Sequence, residues 1–299
     1  MEKQEFEAYL KAGKIASKVK ASAQKSIKPG QKLLEIAETI EKEIIELEAR
    51  PAFPANLSIN NIAAHYTPKV NDEATLLNSD VLKVDIGVHV NGFIADCAFT
   101  LDFSGNNSKL VEASEKALQN ASSILKPGLE IGKIGEEIEK TIKSYGFNPV
   151  YNLSGHGLQA FETHAFPTIP NHANKDSKLL EDGMAFAIEP FATNGEGHVS
   201  ESIDVEIFSI HEPKPCRNET ARKILDFAEK EYKTLPFAER WIQNSLKLSE
   251  FSRKIALKEL LQREILHSYP PLQEHHSKLV SQAETSIVIN EGQVKILVE

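Results

Sequence analysis

Five residues of types that bind divalent metals lie on segments that read as buried strands: Asp85, Asp96, His156, Glu189 and Glu284. The clearest pair sits on a hairpin. LKVDIGVHV is followed by Asn91-Gly92 and then FIADCAFTLDF. Asn-Gly between alternating apolar runs is a strong two-residue turn signal. With those two residues in the turn, Gly87 pairs with Asp96 and Asp85 with Ala98. Asp85 and Asp96 then become diagonal neighbours on one face, with Cα atoms roughly 7–8 Å apart. Val84, Ile86, Ile94 and Phe99 flank them, so the strands should be buried. Two buried carboxylates must be protonated, paired with cations or bound to metal. No Lys or Arg lies between Val84 and Phe103. On the hairpin alone, metal and a protonated or partly solvated pair stand about level.

The other three tip that balance toward metal. Glu189 reads as mid-strand among Phe186, Ala187, Ile188 and Phe191. Glu284 immediately precedes the apolar run Ser286 to Ile289. His156 lies in Ser154-Gly155-His156-Gly157, where glycines would permit a sharp turn and close approach to a ligand. Four carboxylates balance two divalent cations. Oxygen-rich ligation with one imidazole suits Mn, Fe, Co or Zn better than a thiolate site would. Two such ions can hold a bridging hydroxide and stabilise a tetrahedral intermediate.

The elements that must position these residues show an internal repeat. Lys28-Pro29-Gly30 opens a segment containing Ile36, Glu38, Ile40, Glu41, Lys42 and Ile44. Shifted by 98 residues, Lys126-Pro127-Gly128 opens one with Ile134, Glu136, Ile138, Glu139, Lys140 and Ile142. Nine of the eighteen positions from 28 to 45 match, which argues for a duplicated half-domain. Each copy leads to an apolar strand bearing a carboxylate, Asp85 in the first and Glu189 in the second. A helix is expected over 2–26. Residues 212–272 read as successive helices and carry 12 Lys/Arg against 9 Asp/Glu, whereas the remainder carries 22 against 34. The expected organisation is therefore a main domain over 1–211 and 273–299 with a helical insertion over 212–272. Two strands joined by Asn290-Glu291-Gly292 should close the chain.

Composition sets the outer limits. The chain has 299 residues, 41% apolar and 26% charged, with a net charge of −9. That is ordinary for a globular protein and unfavourable for binding DNA. No apolar run is long enough to span a membrane. MEKQEFEAYL lacks a signal-peptide core. Two cysteines, Cys97 and Cys216, do not suggest a secreted disulfide framework, so a cytoplasmic location is expected.

The spacing of the five residues resembles the pita-bread metallopeptidases, most closely type II methionine aminopeptidase in its short archaeal form. The matching runs are FPANLSINNIAAHYTP (53–68), VDIGVHVNGFIADCAFT (84–100), NLSGHG (152–157), AIEPFATNGEG (187–197) and SQAET (281–285). The resemblance implies an α+β pita-bread fold, its halves related by a pseudo-two-fold axis, with a helical insert before the last metal-binding strand. It implies two divalent metals: Asp85 chelates one, Asp96 and Glu284 bridge both, and His156 and Glu189 complete the other. A hydroxide bridging the metals would attack the first peptide bond. His164 would contact that bond and polarise its carbonyl, and Glu189 would also carry a proton to the leaving amine. His65 and Phe53 would line the methionine pocket.

The implied activity is removal of the initiator methionine from nascent polypeptides whose second residue is small. The implied protein is a monomer with possible weak ribosome association through 212–272. Two departures stand out. The family usually has His after its last Glu, where this chain has Thr285. Its usual Ala-Gly-Lys-Ser-Val-Pro after the substrate histidine is Ala165-Phe166-Pro167-Thr168-Ile169-Pro170 here. Proline-specific peptidases share the five ligands but carry a large N-terminal domain, and only 84 residues precede Asp85. Ribosome- or RNA-associated relatives have lost ligands that this chain keeps. Cys97 should face the core on the side away from Asp96. His89, His172, His198, His211, His275 and His276 read as surface or loop residues.

Overall fold

A computed structural model describes residues 1–299. Its centre is a nine-stranded antiparallel sheet. The main path runs through Arg50–Pro51, Val81–Val90, Phe93–Asp102, Glu284–Asn290, Ala185–Ile188, Ser154–Gln159 and Glu162–Pro170. Asn56–Ile59 adds to the second of these and Gln293–Ile296 to the fourth. Helices α1 (Lys3–Ser26) and α2 (Leu33–Glu46) cover the first half; α3 (Ser108–Ser123) and α4 (Ile131–Ser144) cover the second.

The repeat is structural. Gly30 and Gly128 both take positive φ, at 91° and 79°, which a side chain would resist. The Gly30 N–H donates to Leu76 O and the Gly128 N–H to Leu180 O, both at 2.7 Å. α2 and α4 then start three residues later and run for 14 residues each. In each half, an amphipathic helix buries its isoleucine stripe against its own strands. The duplicated sequence thus builds two similar walls around one sheet.

The Asn91-Gly92 hairpin has the expected register, with Gly87 opposite Asp96 and Asp85 opposite Ala98. Period-two alternation divides its faces. Val84, Ile86, Val88, Ala95, Cys97 and Phe99 pack beneath the helices, so Cys97 is core as expected. Asp85 and Asp96 face the opposite way. His89 is not a surface or loop residue. It is buried within the first strand of the hairpin, and its Nδ1 accepts the Gly92 N–H at 3.1 Å.

Helices α5 (Glu219–Glu231), α6 (Glu239–Leu246) and α7 (Glu250–Gln262) enclose a small core of their own. It includes strand Ile207–Ile210, which pairs with Leu266–Tyr269 and with Phe237–Ala238. The helical segment is held to the rest by a buried ion pair between Arg240 of α6 and Glu41 of α2. Trp241 Nε1 donates to the same carboxylate at 2.8 Å.

Candidate metal centre

The five candidate ligands arrive from five strands or strand ends and meet in one cavity. Asp85 and Asp96 come from the hairpin. Glu284 opens its strand opposite Ala98, the residue that also faces Asp85. Two hydroxyls lock that junction. Ser286 Oγ accepts the Asp96 N–H at 2.6 Å and donates to its carbonyl at 2.8 Å. Thr100 Oγ1 does the same for Gln282, at 2.9 and 2.7 Å.

Glu189 lies just past the end of strand Ala185–Ile188, not within it. Pro190 has no N–H to continue the ladder, so the chain leaves the sheet there. Asn171 Nδ2 ties the Glu189 carbonyl and the Leu153 carbonyl together, at 3.0 and 3.1 Å. His156 is mid-strand rather than at a sharp turn. Its flanking glycines serve close backbone approach. A Cβ on Gly155 would come within 2.3 Å of Ala187 O, and one on Gly157 within 2.2 Å of Phe166 O.

The electrostatics call for cations. Burial, followed by mutual repulsion, raises the pKa of Asp96 and Glu284 well above normal. Burial, then the charge on Asp85, raises that of Glu189. Burial pushes Asp85 up to about 6, even though Asn56 Nδ2 donates to it at 3.4 Å. No lysine or arginine forms an ion pair with any of the four; their partner in that sense is His156, whose Nε2 lies 3.8 Å from both Asp96 and Glu189. The nearby buried Lys83 donates instead to the carbonyl of Asn60 at 2.8 Å.

Burial and neighbouring His164 depress His156 to about 3, so its ring is neutral. Its Nδ1 lies 3.3 Å from Gly157 O. With the proton on that nitrogen, Nε2 turns a lone pair toward two carboxylates. A lone pair against an ionised carboxylate is repulsive unless a metal ion or a proton lies between. Asp85 Oδ1, Asp96 Oδ1 and Glu284 Oε1 are buried with no hydrogen-bond partner. Ligating atoms of Asp96, His156 and Glu284 all lie within 4.8 Å of one another. The donor set therefore fits hard or borderline divalent cations.

Phe53, His65 and His164 line the same cavity, so all eight candidate site residues converge. The Phe53 ring lies directly over Gly87. His164 packs edge-on to His156, with centroids 4.6 Å apart. His65 holds a φ of +65°, unusual outside glycine and characteristic of constrained sites. Its Nδ1 is buried with no hydrogen-bond partner. Burial lowers both His65 and His164 to about 4.

Asn56, Thr163, Ile207, Pro236 and Tyr269 also line the cavity and are absent from the sequence-derived set. Asn56 was within reach of sequence reasoning, since it lies in the 53–68 run. Tyr269 offered no such signal, because the helical segment separates it from every ligand but Glu284. Thr285 points away from the cavity and donates to Val298 O at 2.7 Å, so this departure anchors the C-terminal segment instead.

The sequence model of metallopeptidase family M24 matches residues 7–210. A methionine aminopeptidase of Archaeoglobus fulgidus is 46% identical over 286 residues, covering 96% of each chain. That of Methanocaldococcus jannaschii is 45% identical over 296 residues, covering 99% of each. Among solved structures, a methionine aminopeptidase from Thermotoga maritima superposes with a TM-score of 0.71 at 21% identity, over 100% of this chain and 98% of that one. A prolidase from Pyrococcus furiosus gives 0.61 at 19% identity, but this chain covers only 64% of it. These two structural likenesses establish the pita-bread fold alone. With the sequence relatives, they show that the chain belongs to metallopeptidase family M24 and, within it, to the methionine aminopeptidases, in the short form of its archaeal relatives.

Proposed function

We propose that this protein removes the N-terminal methionine from polypeptides whose second residue is small. The observation that carries the reading is the convergence of four carboxylates that no lysine or arginine pairs and a neutral histidine beside His65, His164 and Phe53. Asp85, Asp96, His156, Glu189 and Glu284 would hold two divalent ions, drawn from Co, Mn, Fe and Zn. Such ions supply an activated water at neutral pH and neutralise charge on the scissile carbonyl oxygen.

The chain's own groups do the rest. Phe53, Ile207 and Tyr269 give the methionine side chain apolar and aromatic contacts, which suit a polarisable thioether. His164, neutral at physiological pH, donates a hydrogen bond to the scissile peptide group rather than a full charge. Glu189, which lines the same cavity, carries the proton to the departing amine.

A cytoplasmic monomer acting on nascent chains belongs to the same reading. So does the division into a pita-bread domain and an inserted helical subdomain over 212–272. Weak ribosome association would rest on α7, where Lys254 and Lys258 flank the exposed Phe251 and Ile255. No helix is long and apolar enough to cross a membrane.

The decisive assay uses metal-free protein reloaded with one divalent ion at a time and given Met-Ala-Ser. Methionine release is expected with at least one ion, and little from Met-Leu-Ser. Cleavage confined to an Xaa-Pro peptide would overturn the reading in favour of a proline-specific peptidase.

A further inference from the structure

Strand Leu266–Tyr269 carries a ring that the mechanism above does not use. His267 and Tyr269 are two residues apart, so their side chains leave the same face of the strand. The His267 ring packs edge-on against Tyr269 with centroids 4.7 Å apart. Tyr269 in turn lies 5.9 Å from His164, which lies 4.6 Å from the metal ligand His156. Four rings therefore form a continuous line from the metal centre outward. His267 is its outer end and is exposed to solvent, as is His164.

The line is held rigidly. Leu266 is buried in the core of the helical segment, and the strand pairs along its whole length with Ile207–Ile210. The Tyr269 hydroxyl lies 3.1 Å from Ser209 Oγ. The Tyr269 ring also lies 5.7 Å from that of His65, so His65, His164 and His267 surround one tyrosine.

The spacing matches an extended substrate. The ring separations put His267 within about 11 Å of His164, the reach of roughly three extended residues at ~3.3 Å each. Alternate side chains of an extended peptide point the same way, as do alternate side chains of the strand. If the first side chain packs on Tyr269, the third falls beside His267.

Resting on the aminopeptidase reading, we infer that His267 is a specificity-determining residue that hydrogen-bonds the third side chain of the substrate, favouring Ser or Asn over an aliphatic residue. One solvent-accessible hydrogen bond supports a preference of about fivefold to tenfold.

The test compares kcat/KM on Met-Ala-Asn-Gly and Met-Ala-Leu-Gly for the wild-type enzyme, His267→Leu and His267→Gln. The wild type should prefer Asn by about fivefold or more, mainly through KM. His267→Leu should bring the ratio close to one, and His267→Gln should keep part of it. The effect of His267→Leu should also be smaller on Met-Ala than on the tetrapeptides. Methionine release with the same ratio in wild type and His267→Leu overturns the inference and leaves the aminopeptidase reading standing. Failure of the wild type to release methionine from any of these peptides overturns both.

Discussion

The Phe53 ring lies so close over Gly87 that a Cβ at position 87 would come within 2.2 Å of a ring carbon. Gly87 sits opposite Asp96 and one alternate position from Asp85. The missing side chain therefore makes room for a pocket wall on the face that carries two metal ligands. Gly87→Ala should displace Phe53 rather than the backbone. The expected result is a stability loss of about 1–3 kcal/mol in urea unfolding and a higher KM for methionyl peptides. Metal stoichiometry, measured by elemental analysis, should hold. Unchanged KM would show that Phe53 is not a pocket wall.

Metal should stabilise this fold against heat. Besides His156, its ligands are four carboxylates that no lysine or arginine pairs. At an ion concentration 100 times the dissociation constant, linkage supplies about 2.7 kcal/mol. Chelation should lower Tm by several degrees, and Asp96→Asn should abolish that response. The metal-free Asp96→Asn protein should be at least as stable as the metal-free parent, because one repelling charge is gone. Scanning calorimetry with and without chelator checks both statements; a destabilised metal-free variant would contradict the second.

Metal binding should release protons, and more of them at low pH. The folded pKa values of Asp85, Asp96, Glu189 and Glu284 all lie above their ordinary values, with Asp85 at about 6. Without metal, the fold binds more protons than the unfolded chain between the ordinary and raised values. These groups' contribution to stability is therefore full below the ordinary carboxylate range and is lost as pH rises through the raised values. Metal reverses the sign, since it binds the ionised form. Affinity should increase from pH 6 to pH 8. Titration calorimetry in buffers of different ionisation enthalpy would count the protons, and zero release at pH 6 would contradict the raised values.

The histidines work in the opposite direction. His65 and His164 titrate near 4 and His156 near 3, below an ordinary value of about 6.5. Burial without charge disfavours protonation, so their contribution is present above the ordinary value and lost as pH falls toward the folded values. His65→Gln should weaken this acid sensitivity between roughly pH 6.5 and 4. Equilibrium unfolding across that range is the measurement, and parallel curves for variant and parent would count against it.

The helical segment should be coupled to the pocket through Glu41 and Arg240. They are only 7% and 2% exposed. Glu41 also accepts the Ala55 N–H at 3.1 Å, and Arg240 donates to Thr67 Oγ1 at 3.1 Å. Those contacts bracket the segment that carries Asn56 and His65. Glu41→Gln leaves Arg240 buried without its counter-charge and should cost about 3–5 kcal/mol. The double variant Glu41→Leu/Arg240→Met should recover much of that loss. Urea unfolding of the set decides, and a single variant costing less than the double would refute the coupling.

Much of the metal site is a local matter, and local patterns specify it. The Asn-Gly turn sets the hairpin register, and a period of two then places Asp85 and Asp96 on one face whatever surrounds them. The 98-residue repeat announces two similar walls because the same Pro-Gly turn and isoleucine stripe must bury themselves in the same way. Residue type alone marks Glu189, Glu284 and His156, since charge on apolar strands requires a partner. Their settings were harder to read. Glu189 sits past its strand because Pro190 ends the ladder, and the glycines beside His156 admit neighbouring carbonyls rather than a turn.

Tertiary structure decided everything that depends on contacts between distant segments. Tyr269 and His267 reach the mouth only because Leu266–Tyr269 pairs with Ile207–Ile210 across the whole helical segment. Arg240 meets Glu41 across 199 residues of chain. Sequence periodicity reports which face of an element is buried, but not which other element buries it. That choice follows from packing the entire core at once, and it places the pocket walls around ligands that the chain had already marked.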